Sequence, residues 1–599
     1  MKRFLLLLIT LCFASSFAQT DKRLKGLEDE LNKILEITKT AGFAVAVVEG
    51  DKVIYNKGFG YRDYENKIPV DANTLFAIGS STKAFTSAIL GKLRADDKLS
   101  FDDSPRKYIP ELEFYNDNLN NNIIIKDLMR HSTGIPRHDG AWYFFPSHNK
   151  DSLVQRIKYH EPFTGLRQRW YYNNFMFLTQ GVIAEKITGK SWEDNLDEMF
   201  FKPLNMNRTN SDIKAMKSAS NASIGYELKD DKISKMDYYD IAGMSPAGSI
   251  NSSVNDMTKW MTLWLNKGKH NEEELLPESY IQEATGSQMV VSSGIPSKEL
   301  PDMHFANYGY GWFTHSYKGH YVAEHGGNID GFSTNVALYP TDSLGIVVLA
   351  NQNGSATPNL VRNTVADYVL KLKKTGWASK HKKDLEEAEK AQEEVEESSE
   401  SAQIPNTKPS HSNVDYTGVY SNKGYGAVTI TTKNDSLFTI LNKKLNYLHH
   451  FHYDTFELIS VVKGKVDTTD YGQSLKATFS TGDSGDIDGF KVAIEPTIDP
   501  IFFKRSPIAL DVDSSDLEPY TGDYEISGAT IKFYLKGGKT LFLFVPGQPE
   551  YELLPTDKHK FTLKGIDGFK VEFIENDKGT IKEAKLFQPN GTFTVKRKE

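Results

Sequence analysis

The sequence predicts a multidomain protein: an α/β (α+β) domain with a central antiparallel sheet and a helical region, followed by all-β modules of small-barrel type. Three observations carry this. Strand-like apolar runs lie near both ends of residues 22–373, with helical periodicity between them, so one sheet made from the two ends, with the helical middle packed on it, buries both patterns. A stretch that is nearly all Glu, Lys, Ala, Gln and Ser, from Asp384 to Glu400, then breaks the composition. Beyond it, Tyr416-Thr417-Gly418-Val419-Tyr420 recurs as Tyr520-Thr521-Gly522-Asp523-Tyr524 amid strand alternation. At 599 residues the chain exceeds one ordinary core.

The chain opens with Lys2-Arg3, an apolar run to Phe13, and Ala14-Ser15-Ser16-Phe17-Ala18. This is the pattern of a secretory signal peptide over residues 1–18, cut after Ala18, and it predicts an exported protein, periplasmic or extracellular. Lipoprotein anchoring needs a small residue before the cysteine, and Leu11 precedes Cys12. Cys12 is the only cysteine, so the mature chain is expected to have no disulfide, no thiolate nucleophile and no Cys-ligated metal. No later apolar stretch is long enough to span a bilayer. A net charge of -8 gives no sign of a nucleic-acid partner. The expected partner is a small-molecule or peptide substrate, with no cofactor; the oligomeric state stays open.

Residues 22–39 read as an amphipathic helix with Leu24, Leu27, Leu31 and Leu35 on one stripe. Phe43–Val48 and Val53–Phe59 are strands around the turn Glu49-Gly50-Asp51. After Gly79 comes a run without Gly or Pro, Ser81 to Leu90, with Phe85, Ala88 and Ile89 at helical spacing. Ser80 therefore stands at a helix start with Lys83 one turn on, on the same face. Backbone N–H groups left unpaired at a helix start can hold an oxyanion, and a neutral amine one turn away can take the hydroxyl proton. Later strands are expected at His320–Glu324, Ser333–Tyr339 and Leu344–Ala350, followed by a helix to about Lys373.

A lone Ser-x-x-Lys is weak, but two companions follow: Tyr172-Asn173-Asn174 opens a helical run, and His325-Gly326-Gly327 lies between two strand patterns. In this order the three resemble the serine β-lactamase and penicillin-binding-protein superfamily, above all its class C β-lactamase, DD-peptidase and esterase branch. The resemblance covers residues 25–372 and implies the β-lactamase/transpeptidase-like fold, with the active site between the sheet and the helical region. It implies that Ser80 forms an acyl-enzyme that water hydrolyses, and that Lys83 and Tyr172 share the proton work, with the base left open between them. It also implies substrate-binding roles for Asn174, His325, Gly327 and Asn328, the last through its backbone N–H beside that of Ser80. The triplet here has His where β-lactamases have Lys. His325 is mostly neutral at pH 7 and adds positive charge only when protonated, which favours peptidase, amidase or esterase activity over efficient β-lactamase activity. A catalytically silent ligand- or peptidoglycan-binding protein of the same fold is the competing reading; intact Ser80, Lys83 and Tyr172 argue against it.

Leu128–Pro136 and Pro246–Ser253 also match this branch. His131 and Ser249 within them read as parts of turns and caps that shape the cleft. Residues 374–410 are a charged linker, helical or disordered. The β-rich remainder reads as two modules, 411–507 and 512–599, closing with Lys504-Arg505 and Lys596-Arg597. They resemble the lipocalin-like C-terminal domains of β-lactamase-related hydrolases; one larger barrel is the alternative. Gly482-Asp483-Ser484-Gly485-Asp486 imitates a chymotrypsin-type nucleophile loop but lacks the upstream His and Asp, so it reads as a polar turn. His450 and His452 share a strand face flanked by Phe451 and Tyr453, and read as aromatic surface rather than a metal pair.

Overall fold

A computed structural model describes residues 21–298, 300–398, 402–483, 485–526, 528–566 and 568–598. The expected signal peptide and Ser484 fall outside the described residues. The chain divides into two compact units. The first comprises the chain to Gly134, His148–Val154 and Thr164–Ser398; the second comprises Ile135–Ser147, Gln155–Phe163 and the chain after Ser398.

The first unit is built on nine antiparallel strands: β1 Gly42–Glu49, β2 Lys52–Asp63, β3 Ile68–Pro69, β4 Met289–Ser292, β5 Ala306–Tyr308, β6 Phe313–Tyr317, β7 His320–Ile329, β8 Phe332–Tyr339 and β9 Leu344–Ala350. Their order is β4-β5-β6-β7-β8-β9-β1-β2-β3. Strand β1 thus pairs with β9, Phe43 opposite Ala350 and Val47 opposite Ile346, so the two ends of the unit meet in mid-sheet as the sequence predicts. Phe43, Val45 and Val47 pack with Leu27, Leu31 and Ile34 of α1 (Leu27–Ile37) and with Val361 and Val365 of α2 (Thr357–Val369). Ala44, Ala46 and Val48 are buried too. On that opposite face a Cβ on Gly345 would lie 3.1 Å from Met261, part of a helix spanning Val254–Leu265. With both faces covered, β1 reads as an unbroken apolar run instead of an alternating one.

Two expectations are corrected. The helix read over 22–39 is split into a short turn, Lys22–Leu24, and α1, because Gly26 between them sits at φ +81°. Strands β4, β5 and β6 were not foreseen: at three to five residues each they are too short to show a period of two. The charged stretch is helical, within Trp377–Ser398. Its first residue, Trp377, is buried and donates its indole N–H to Asp367 at 3.1 Å. Further on, Lys380–Asp384 and Lys383–Glu387 pair one turn apart. Among the described residues no helix is long and apolar enough to cross a membrane.

The second unit holds two closed eight-stranded antiparallel barrels, not one larger barrel. The sequence repeat marks equivalent places in them. Tyr420 donates its hydroxyl proton to the Tyr416 carbonyl at 2.8 Å, and Tyr524 to that of Tyr520 at 3.3 Å. Arg505 and Arg597, on the last strands, donate to the carbonyls of Thr417 and Thr521. Each module thus ties its last strand to the turn before its first. In the first barrel His450 Nε2 donates to the Tyr453 carbonyl, 2.9 Å away. Ile135–Ser147 and Gln155–Phe163, from within the stretch read as catalytic, also contribute to this unit: Phe145 stacks on Phe503 at 5.5 Å, and buried His138 stacks on His160 at 4.3 Å.

Candidate active site

The turn Gly79–Thr82 feeds a helix over Lys83–Ala95, whose residues are nearly all buried. Phe85 anchors it, stacked on Trp260 with ring centroids 3.7 Å apart. Gly79 has φ +50°, and a Cβ there would lie 3.0 Å from the Asn328 nitrogen, so the backbone entering Ser80 runs against the end of β7. A Cβ on Gly327 would lie 1.9 Å from the Ile78 carbonyl oxygen, so only glycine lets β7 pass this close. Two hydroxyls fasten the contact: Thr334 donates to Ile78 O at 3.0 Å and Ser81 to His325 O at 3.0 Å.

Strand β7 pairs with β6 only as far as Glu324, opposite Phe313, whereas its pairing with β8 continues to Ile329. Among the described residues, its β6 side therefore has no ladder partner from His325 to Ile329. The Asn328 side chain is held from both ends: its carbonyl accepts from Ser333 (2.9 Å) and Gly354 N (2.7 Å), and its amide donates to Asn353 (3.1 Å).

Lys83 is fully buried. Its Nζ donates to Ser80 Oγ at 2.9 Å and to the Ala247 carbonyl at 2.7 Å, and lies 4.8 Å from the Tyr172 ring centroid. The Ala247 carbonyl belongs to the Pro246–Ser253 stretch read as cleft-shaping, so that stretch also supplies a direct partner to the amine.

Tyr172 precedes a helix over Asn174–Thr188, capped by the Asn173 side chain on Met176 N at 3.3 Å; Asn174 is buried in its first turn. His131, buried at φ +56°, holds this entry from both sides. Its carbonyl accepts from Tyr171 N (3.0 Å), its Nδ1 accepts from Asn173 N (3.2 Å), and its ring lies 4.5 Å from that of Tyr172. Below it, buried Asp127 binds Arg167 in bidentate fashion together with Arg130 and Ser132. Burial alone would raise the Asp127 pKa, but the hydrogen bonds, led by that from Arg167, hold it below the usual carboxylate value.

His325 is buried, with its ring 6.2 Å from Tyr172. Its Nδ1 lies 2.6 Å from the Gly326 carbonyl and its Nε2 3.0 Å from the Tyr308 hydroxyl. A carbonyl only accepts, so Nδ1 carries the proton and Nε2 accepts from the phenol. Burial, and next the charge of Lys83, push the His325 pKa down to about 3. At neutral pH the ring therefore adds no positive charge to the site. Sequence reasoning also missed Trp170, Tyr308 and Phe313, whose rings adjoin His325 and Tyr172. The run Tyr308-Gly309-Tyr310-Gly311-Trp312 was the available signal, since Gly311 (φ +80°) would place a Cβ 2.9 Å from Ala84 at the start of the nucleophile helix.

The structure thus brings Ser80, Lys83, Tyr172, His325, Gly327 and the Asn328 backbone to one place. Comparisons with known proteins agree with the architecture. The penicillin-binding protein homologue of Pyrococcus abyssi, described as octameric, superimposes with a TM-score of 0.53 at 19% identity, covering 80% of this chain and all of that one. Protein flp of Staphylococcus aureus (strain COL) is 29% identical over 329 residues, 54% of this chain and 62% of its own. This chain therefore spans less than two thirds of flp. The unguisins hydrolase ungD' of Aspergillus campestris is 30% identical over 415 residues, 65% of this chain and 74% of its own. Residues 402–505, the first barrel, match a family described only as a domain of unknown function, DUF3471. Residues 27–371, more than half of the chain and the span of the sheet and its helices, match the Beta-lactamase family, and the chain belongs to that serine hydrolase family.

Proposed function

We propose that this protein is an exported serine hydrolase that cleaves amide, peptide or ester bonds through an acyl-enzyme on Ser80. One observation carries the proposal: the Lys83 amine, enclosed beside the Tyr172 ring, sits 2.9 Å from the Ser80 hydroxyl. The Ser80 oxygen attacks the substrate carbonyl carbon, and its proton passes to the Lys83–Tyr172 pair. The oxyanion is held by the backbone N–H groups of Ser80 and Asn328. Collapse of the intermediate breaks the carbonyl bond to the leaving group, which takes the proton; water then attacks the ester and the same pair receives and returns its proton. Asn174 orients Lys83 and the substrate amide. Peptides of D-amino acids, cell-wall fragments, β-lactam-like compounds and short esters are the substrate classes. A neutral His325 weighs against those held by a free carboxylate. Export rests on the pattern of residues 1–18.

The test is Ser80→Ala assayed with p-nitrophenyl esters and a fluorophosphonate probe. Loss of both hydrolysis and labelling, with the circular dichroism spectrum unchanged, is expected. Retention of either refutes Ser80 as nucleophile.

A further inference from the structure

Beside Lys83 and Ser80 the first unit exposes a continuous aromatic surface. Trp170, Tyr172 and Phe313 are each half-buried. Their ring centroids are 6.1 Å apart for Trp170–Tyr172 and 5.6 Å for Trp170–Phe313. Phe313 continues to His325 at 5.2 Å, and fully buried Tyr308 backs them at 4.8 Å from Phe313 and 5.9 Å from Trp170. Phe313 is also the last β6 residue paired with β7, so this surface begins where the free edge of β7 begins.

Most polar groups here are already committed; the Trp170 indole N–H is a buried donor without a partner. His325 donates to Gly326 and accepts from Tyr308, so no imidazole N–H remains for a substrate anion. The carboxylate of Glu324, the neighbouring residue, is engaged by Arg362 and Asn335. Among the described cations, Lys83 is directed at Ser80 and Ala247, Arg362 at Glu324 and Arg130 at Asp127, while Arg169 is exposed next to Trp170 in the chain. A carboxylate lodged against ring faces and an uncharged imidazole loses hydration and gains no cationic partner from His325, the neutral Trp170 N–H being the one unpartnered donor among these rings. An apolar group there gains burial.

Building on the serine hydrolase reading above, we propose that Trp170, Tyr172 and Phe313 form a subsite for an aromatic or bulky apolar side chain of the substrate. We propose further that the Tyr308–His325 pair selects substrates uncharged at that end: amides, esters and internal peptide bonds instead of chains ending in a free carboxylate. Trp170, Phe313 and Tyr308 act in specificity; none of them touches the reacting atoms.

The test is competition against fluorophosphonate labelling of the full-length protein, together with hydrolysis where it occurs. Three matched compounds are compared: N-acetyl-D-phenylalanyl-D-alaninamide, its free-acid twin, and the twin with methyl in place of benzyl. The benzyl amide is expected to compete at least about tenfold better than either twin. In Phe313→Ala and Trp170→Ala the benzyl-to-methyl ratio should fall to within about twofold, and two variants guard against one failing to fold. His325→Lys should raise competition by the acid relative to the amide. Wild-type labelling with equal competition by acid and amide, or an undiminished benzyl ratio in both aromatic variants, overturns this inference and leaves the nucleophile assignment standing. Absence of labelling in the wild type refutes the serine hydrolase reading, and this inference with it.

Discussion

His325→Gln removes one titrating group from the centre of the first unit, and its effect can be worked through. In the unfolded chain the imidazole titrates near 6.5; in the native state its pKa is about 3, set by burial and then by Lys83. Between these values the unfolded chain binds a proton that the native protein refuses. Stability therefore falls as pH falls from about 6.5 towards 3 and is recovered above 6.5. From pH 7.5 to pH 4.5 this one site removes roughly 3 kcal/mol. Other buried histidines with lowered pKa values, His138, His160 and His315, contribute to both proteins and cancel in the comparison. The assay is urea unfolding followed by tryptophan fluorescence, because six of the seven tryptophans lie in the first unit. The wild type should lose roughly 3 kcal/mol more than His325→Gln between the two pH values. Parallel losses would mean that native His325 is not held neutral, and the argument for an uncharged site would fall.

Two further outcomes are expected. In Gly327→Ala the new methyl would lie 1.9 Å from Ile78 O and 2.6 Å from Thr334 Oγ1, forcing β7 away from the Ser80 turn. The protein should still fold by near-ultraviolet circular dichroism while fluorophosphonate labelling slows by about 100-fold or more. Asp127→Asn leaves Arg130 and Arg167 without their buried counter-charge beneath the Tyr172 entry, and should cost about 3 kcal/mol in urea unfolding.

What the sequence revealed and what it hid follow from the range of the interactions. The Ser80–Lys83 spacing is one turn of one helix, so local periodicity placed both groups. The strands at the two ends of the first unit were legible because both of their faces are buried and their apolar runs are long. The helix over the charged stretch needed the structure, since composition alone did not separate a solvated helix from a coil. The partners of His325 were not legible: Tyr308 lies on a short strand two places away in the sheet, and the further fall of the pKa comes from burial beside Lys83. Nor was the placement of Ile135–Ser147 and Gln155–Phe163 in the second unit. Their aromatic run Trp142-Tyr143-Phe144-Phe145 resembles any core helix until its partners, among them Phe503, are known.

The pairing of β1 with β9 joins Phe43 to Ala350, about 300 residues later in the chain. At a synthesis rate of 5–20 residues per second, the first of these strands waits on the order of 15 s to a minute before its neighbour leaves the ribosome. During that interval the apolar ribbon from Phe43 to Val48 has only the β2 hairpin on one edge. Nascent chains arrested before residue 344 should therefore be bound by chaperones, while longer ones are released.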